Sequence, residues 1–183
     1  MLRFGLFALL LSPFGQIVWK SANSSISDPL VQIAEPCGIW ALRILLLNLA
    51  MTPLQMITGI CLKTYRRMVG LFSFFYALIH VVVWWLNTTS VVNDISHHGF
   101  IMLGLLAFVL MTLLAITSIN HIRDKMGKYW YYLHQFNYLI LCLAIGHFYW
   151  QAKLKFELEP LVYASIAGLI LFVRVFATNR LSV

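Results

Sequence analysis

Tyr129–Trp150 reads YWYYLHQFNYLILCLAIGHFYW, and no charged residue occurs between Lys128 and Lys153. A run of this length and apolarity matches the roughly 20 residues that a helix needs to cross the hydrocarbon core of a bilayer. It carries two histidines, His134 and His147, and a third, His80, lies in another apolar run. An ionisable side chain is costly at that depth, so each of the three is a candidate functional residue.

The whole chain has the same character. Of its 183 residues, 61% are hydrophobic and only 10% charged, with a mean hydropathy of +0.84. This lies far from soluble globular composition. Backbone polar groups in lipid must be satisfied internally, and the apolar runs do not alternate as barrel strands do, so they are read as helices. The formal charge of +7 would suggest nucleic acid in a soluble domain. Here the basic residues cluster at the ends of apolar runs, which is a topology signal, and nothing supports nucleic-acid recognition.

Working outward from the quoted stretch, the sequence predicts an all-α, single-domain bundle of six spans, at about 4–19, 39–62, 68–87, 99–119, 130–150 and 160–177. The first is short and holds Pro13. It is read as an uncleaved helix rather than a signal peptide, because no A-x-A pattern ends it and Trp19-Lys20 resembles an interfacial anchor. Residues 21–38 and 88–98 are polar and read as loops, while KTYRR (63–67) and NHIRDKMGK (120–128) read as basic connectors. Pro53 is expected to kink the second span, and Arg43 to snorkel to the interface rather than contact a ligand.

Nine Lys and Arg near helix ends (Arg3, Lys63, Arg66, Arg67, Arg123, Lys125, Lys128, Arg174, Arg180) fall on one side, against Lys20, Lys153 and Lys155 on the other. By the positive-inside rule both termini are cytoplasmic. All six tryptophans fall near predicted span ends, as an aromatic belt requires. The cysteines Cys37, Cys61 and Cys142 form no CxxC pair, and no disulfide framework is expected.

At about 1.5 Å per residue, His147 lies ~20 Å beyond His134 along one helix. His134 then sits one turn inside the cytoplasmic end, while His147 and His80 both fall in the outer half and can face each other. Two neutral imidazoles on facing helices supply the two axial ligands of a haem iron, leaving no open coordination site and pointing to electron transfer. The plainer alternative is an interhelical hydrogen bond from each histidine. A separation of thirteen residues places His134 and His147 about 140° apart on a straight helix, so a bulge or bend, near Gly146, is needed to rephase them.

His97, His98 and His121 fall in predicted loops without a ligand cluster around them and are read as solvated. Arg66 and Arg67 are topology residues first, though paired guanidinium groups also suit a phosphate or a quinone ring edge. The ten glycines form no G-x-G-x-x-G or P-loop signature, so any electron donor comes from elsewhere. No arrangement stands out for nucleophilic catalysis.

The segments AEPCGIWALRILLLNLAMTPL, YRRMVGLFSFFYALIH and MGKYWYYLHQFNYLILCLAIGHFYW resemble the MsrQ family, haem-binding membrane subunits within the ferric-reductase-like transmembrane group. The likeness runs from about Asp28 to the sixth span. It implies a haem b electron-transfer subunit of a bacterial inner membrane, whose haem-associated histidines are His80, His134 and His147. It implies electrons arriving from the quinone pool or a flavin reductase and leaving to a periplasmic molybdopterin partner, MsrP, which repairs oxidised methionines. The substrate site would then lie on the partner. It also implies FMN as a second cofactor, for which Arg66 and Arg67 are the candidates. NADPH oxidases of the same group typically carry two histidines in each of two helices. Here the third helix has only His80, with Arg66 fourteen residues before it. The expected pairing is therefore an outer haem on His80 and His147, with His134 serving an inner haem or another role. A metalloreductase of the same architecture and a histidine-relay transporter are the alternatives; the latter needs acidic partners in the spans, and no Asp or Glu lies in a span core.

Overall fold

The computed structural model describes residues 2–24, 30–153 and 158–180. Among the described residues every regular element is helical: α1 (Leu2–Ala22), α2 (Val31–Thr58), α3 (Lys63–Asn87), α4 (Val91–His97), α5 (Gly99–Thr117), α6 (Asn120–Met126), α7 (Lys128–His134), α8 (Asn137–Lys153) and α9 (Glu159–Arg180). Four of these (α1, α2, α3 and α5) are long and apolar enough to cross a membrane by themselves. The chain is a helical membrane protein.

Helix α2 is the spine. One flank, with Leu42, Leu45, Leu46 and Leu49, packs on a cluster drawn from α5, α8 and α9. The other, with Cys37, Ala41, Ile44 and Met51, packs on α1 and α3. A helix apolar on all sides belongs in the interior of such a bundle. Helix α5 lies at the periphery. Met102, Leu106, Val109, Leu113 and Ile116 form an exposed stripe along it, while Ile101, Ala107 and Leu114 turn inward. That stripe suits lipid, because no water-soluble surface of this size is left bare.

The helices start earlier and break differently from the sequence reading. Residues from Val31 onward, expected in a loop, already belong to α2, and KTYRR forms the first turns of α3. Helix α2 continues through Pro36 and Pro53 and ends at Gly59, whose φ of +71° is left-handed. The 88–98 loop contains α4, capped by Ser90 Oγ on the Asn93 amide, and the 120–128 connector contains α6. Part of the 21–38 loop and the start of the sixth span's approach (154–157) lie outside the described residues.

The fifth span is the main correction. It is interrupted immediately after His134, well away from Gly146. The amides of Gln135, Phe136 and Tyr138 bond three residues back, to Tyr132, Leu133 and Gln135, before Ile140 resumes the regular ladder on Phe136. Asn137 Nδ2 donates to the freed His134 carbonyl at 3.0 Å. This tightening into i→i+3 turns ends α7 and starts α8 in a new phase, so the angular argument for a continuous helix does not apply.

Helix α1 is tied in by one side chain. Pro13 interrupts its ladder, and Tyr76 of α3, fully buried, inserts its hydroxyl next to the gap. The hydroxyl donates to the Leu10 carbonyl at 2.8 Å and accepts from the Phe14 amide at 3.0 Å. These two groups would otherwise bond each other, and a side chain inserted between them bends the helix. The substitution Tyr76→Phe should destabilise the protein by roughly 0.5–1.5 kcal/mol, the usual net contribution of a hydrogen bond. Thermal unfolding in detergent would measure the loss, and faster hydrogen exchange at the Phe14 amide would locate it.

Candidate functional site, two histidines across a cavity

Helices α3 and α8 bring His80 and His147 together toward one end of the bundle. Their ring centres are 6.3 Å apart and their planes are inclined at 78°. Each ring is anchored from behind. His80 Nδ1 lies 2.8 Å from the Ala34 carbonyl of α2, and His147 Nδ1 lies 2.8 Å from the Phe100 carbonyl of α5. A carbonyl oxygen only accepts, so Nδ1 carries the proton in both rings and Nε2 keeps the lone pair. Two neutral imidazoles with oriented lone pairs are a ready pair of metal ligands.

The rings border a cavity of about 220 Å³. It exists because the surrounding positions are small: Gly38, Ala41, Ala77, Gly104, Ala107 and Ala144 all line it. Glu35, Gln151 and Glu159 form its polar edge. Phe100 packs on His147 with ring centres 5.6 Å apart, and His98 packs on Phe100 at the same separation, so aromatic contact reaches the exposed α4–α5 junction.

His134 lies elsewhere. Its Nδ1 donates to the Trp130 carbonyl of its own turn at 3.0 Å, Ser118 Oγ lies 3.4 Å from Nε2, and the Trp130 ring stacks on it at 3.9 Å. It borders a second cavity, of about 380 Å³, whose lining holds no other histidine. That lining is strongly basic, with Lys63, Arg66, Arg67, Arg123 and Arg174. Arg67 also bonds Asn120 of α6 at 2.5 Å, and Arg123 pairs with Asp124 at 2.9 Å. Asn48, 7% exposed, brings into this cavity an Oδ1 atom without a hydrogen-bond partner. Such an orphan calls for a donor supplied by something else.

The other candidates are dispersed. His97 ends α4 with Nδ1 on the Asn93 carbonyl and His121 lies in α6, so both are helical where a loop was expected, while His98 stands in the non-helical joint between α4 and α5, as expected. The three cysteines are free, and only Cys37 is buried. Arg43 does not simply reach toward the interface. Its Nε donates to Tyr163 Oη at 2.7 Å, its guanidinium lies 3.6 Å from Glu159, and it stacks over Trp40 at 5.1 Å. It joins α2 to α9. The sequence reading missed Gly38, Gly104, Asn48 and Trp130, because small or polar residues in an apolar run carry no signal until the facing helix is known.

Together these features define a helical membrane protein whose core presents two adjacent imidazoles and, separately, a basic cavity. A family model described as "Ferric reductase like transmembrane component" matches residues 37–145, a region that includes His80 and His134. Among similar proteins, the protein-methionine-sulfoxide reductase heme-binding subunit MsrQ of Bordetella parapertussis is 42% identical, with 96% of this chain and 89% of the relative covered. The MsrQ of Xanthomonas campestris pv. campestris is 39% identical, covering 96% and 85%. That of Brucella anthropi is 36% identical, covering 84% and 73%. The chain belongs to the ferric-reductase-like transmembrane family and, within it, to the MsrQ proteins.

If Arg43 joins α2 to α9 as described, Arg43→Lys should cost about 1 kcal/mol or less, since the pair with Glu159 is partly exposed and a lysine keeps the charge but loses the planar contacts. Thermal unfolding of the detergent-solubilised variant checks this, with Glu159→Gln as the milder comparison.

Proposed function

We propose that this protein is an electron-transfer subunit that holds haem b between His80 and His147 and carries electrons across the membrane for a methionine sulfoxide reductase. The observation that carries the reading is the spacing of the two rings. Imidazole nitrogens bond transition metals at about 2 Å, so an ion bonded to both Nε2 atoms leaves the ring centres roughly 6 Å apart; the separation here is 6.3 Å. His80 and His147 would hold the haem, which would supply one-electron transfer rather than a substrate-binding position. The small residues around the cavity leave room for a macrocycle, and the two carbonyl bonds hold the rings in the ligating tautomer. The names of the relatives, heme-binding subunits of a protein-methionine-sulfoxide reductase, point the same way.

In this reading α1, α2, α3, α5, α8 and α9 are six spans of one domain in a bacterial inner membrane, with both termini cytoplasmic. Electrons enter at the basic inner cavity, from the quinone pool or from a flavin reductase. Arg66 and Arg67 suit the phosphate of FMN or the oxygen of a quinone, and Asn48 Oδ1 would accept from a flavin N–H or a quinol O–H. His134, with no histidine opposite it, serves the inner cofactor, either a second haem or FMN. Electrons leave from the outer pair to an MsrP-type periplasmic molybdopterin reductase, which acts on oxidised methionines.

Protein purified from haem-replete cells should show a Soret band. His80→Ala and His147→Ala should each abolish the outer haem, and His134→Ala should remove at most half of the total, counted as pyridine haemochrome per protein. A colourless wild-type preparation would sink the reading. Two haems per chain would assign the inner cavity to the second, and one haem with bound flavin would assign it to FMN.

A further inference from the structure

The backbone behind the two histidines repeats. His80 reaches the carbonyl of Ala34, and four residues further along α2 stands Gly38; His147 reaches the carbonyl of Phe100, and four residues further along α5 stands Gly104. In an α-helix the carbonyl of residue i points at residue i+4, whose amide it accepts. A ring that approaches the same oxygen from the side must pass through the space that a Cβ at i+4 would occupy. A Cβ on Gly38 would lie 2.9 Å from His80 Nδ1 and 3.1 Å from its Cε1. On Gly104 the corresponding distances to His147 are 2.8 and 3.0 Å. Neither glycine is needed for its own backbone, since positive φ occurs only at Gly59 and Gly127. Glycine inside a helix costs roughly 0.5–1 kcal/mol relative to alanine, so two such residues at equivalent places call for a gain that offsets it.

We propose that Gly38 and Gly104 are positioning residues for the redox centre. Each opens the gap through which its histidine reaches a helix carbonyl, and together they hold the ring planes near perpendicular. The consequence for a bound iron rests on the function proposed above. A donated Nδ1–H makes Nε2 a more basic ligand, which favours the oxidised metal and lowers the midpoint potential. Displacing either ring from its carbonyl therefore moves the potential upward.

The test compares Gly38→Ala and Gly104→Ala with Gly168→Ala, a helical glycine around which a Cβ meets nothing within 4 Å. Low-temperature electron paramagnetic resonance of the oxidised wild type should give the highly anisotropic low-spin signal of perpendicular imidazole planes. Both cradle variants should shift that signal and raise the midpoint potential, with Gly168→Ala matching the wild type. A wild-type signal of parallel planes, or cradle variants indistinguishable from Gly168→Ala, overturns the proposal. Where a variant fails to load haem, thermal unfolding of the haem-free protein decides. Gly38→Ala should lower the midpoint when His80 is present and leave it unchanged or higher in a His80→Ala background. An equal loss in both backgrounds overturns the cradle. This cycle needs no haem, so its outcome is separate from a failure of the haem reading itself.

Discussion

The donation of an imidazole N–H to a helix carbonyl, made once by His80 to α2 and once by His147 to α5, is the interaction on which the arrangement depends. Each bond joins the two helices of a pair and settles the tautomer of the ring. In a bilayer, lipid tails compete with apolar side chains on equal terms, so helices associate through close contact of small residues and through hydrogen bonds between them. Both devices meet at the histidine cavity. The residues that let α2 and α5 approach the histidines are the same ones that leave space between the rings.

The two ends of the bundle differ in kind. The histidine cavity is apolar except at its rim, with two neutral nitrogens as its chemistry. The second gathers five basic side chains around an aromatic and amide lining. Neutral imidazoles tolerate low dielectric because neither carries a charge that needs solvation. Guanidinium and ammonium groups do not, and they gather at one set of helix ends. The same desolvation cost thus sorts the neutral imidazoles to the interior and the permanent charges to the edge. Helix α2 spans both regions, with Gly38 at the histidine cavity and Asn48 at the basic one, and its burial on two flanks holds the two sites at a set distance.

Much of the fold was legible in the chain because hydrophobic runs and basic helix ends are one-dimensional signals. The apolar segments, the polar breaks and the depth of each histidine follow from counting residues along a helix. The interruption after His134 did not follow, because Gln135 and Phe136 do not break helices by propensity. It arises where α7 turns to place Trp130 against the Thr117 carbonyl of α5, a bond of 3.0 Å across the bundle. Arg43 likewise read as a residue reaching for the interface, since Tyr163 and Glu159, more than a hundred positions away, are not visible in its own segment.

The amino-acid sequence by itself determined that this is a helical membrane protein of the ferric-reductase-like kind, with His80 and His147 at matched depth. Composition decides the solvent, and a rise of about 1.5 Å per residue converts position into depth. Only the tertiary structure decided which way the rings turn, which carbonyls hold them, why glycine stands at 38 and 104, and that His134 belongs to a separate basic cavity. Those features depend on rotation and distance between helices, which packing sets and which no single helix contains.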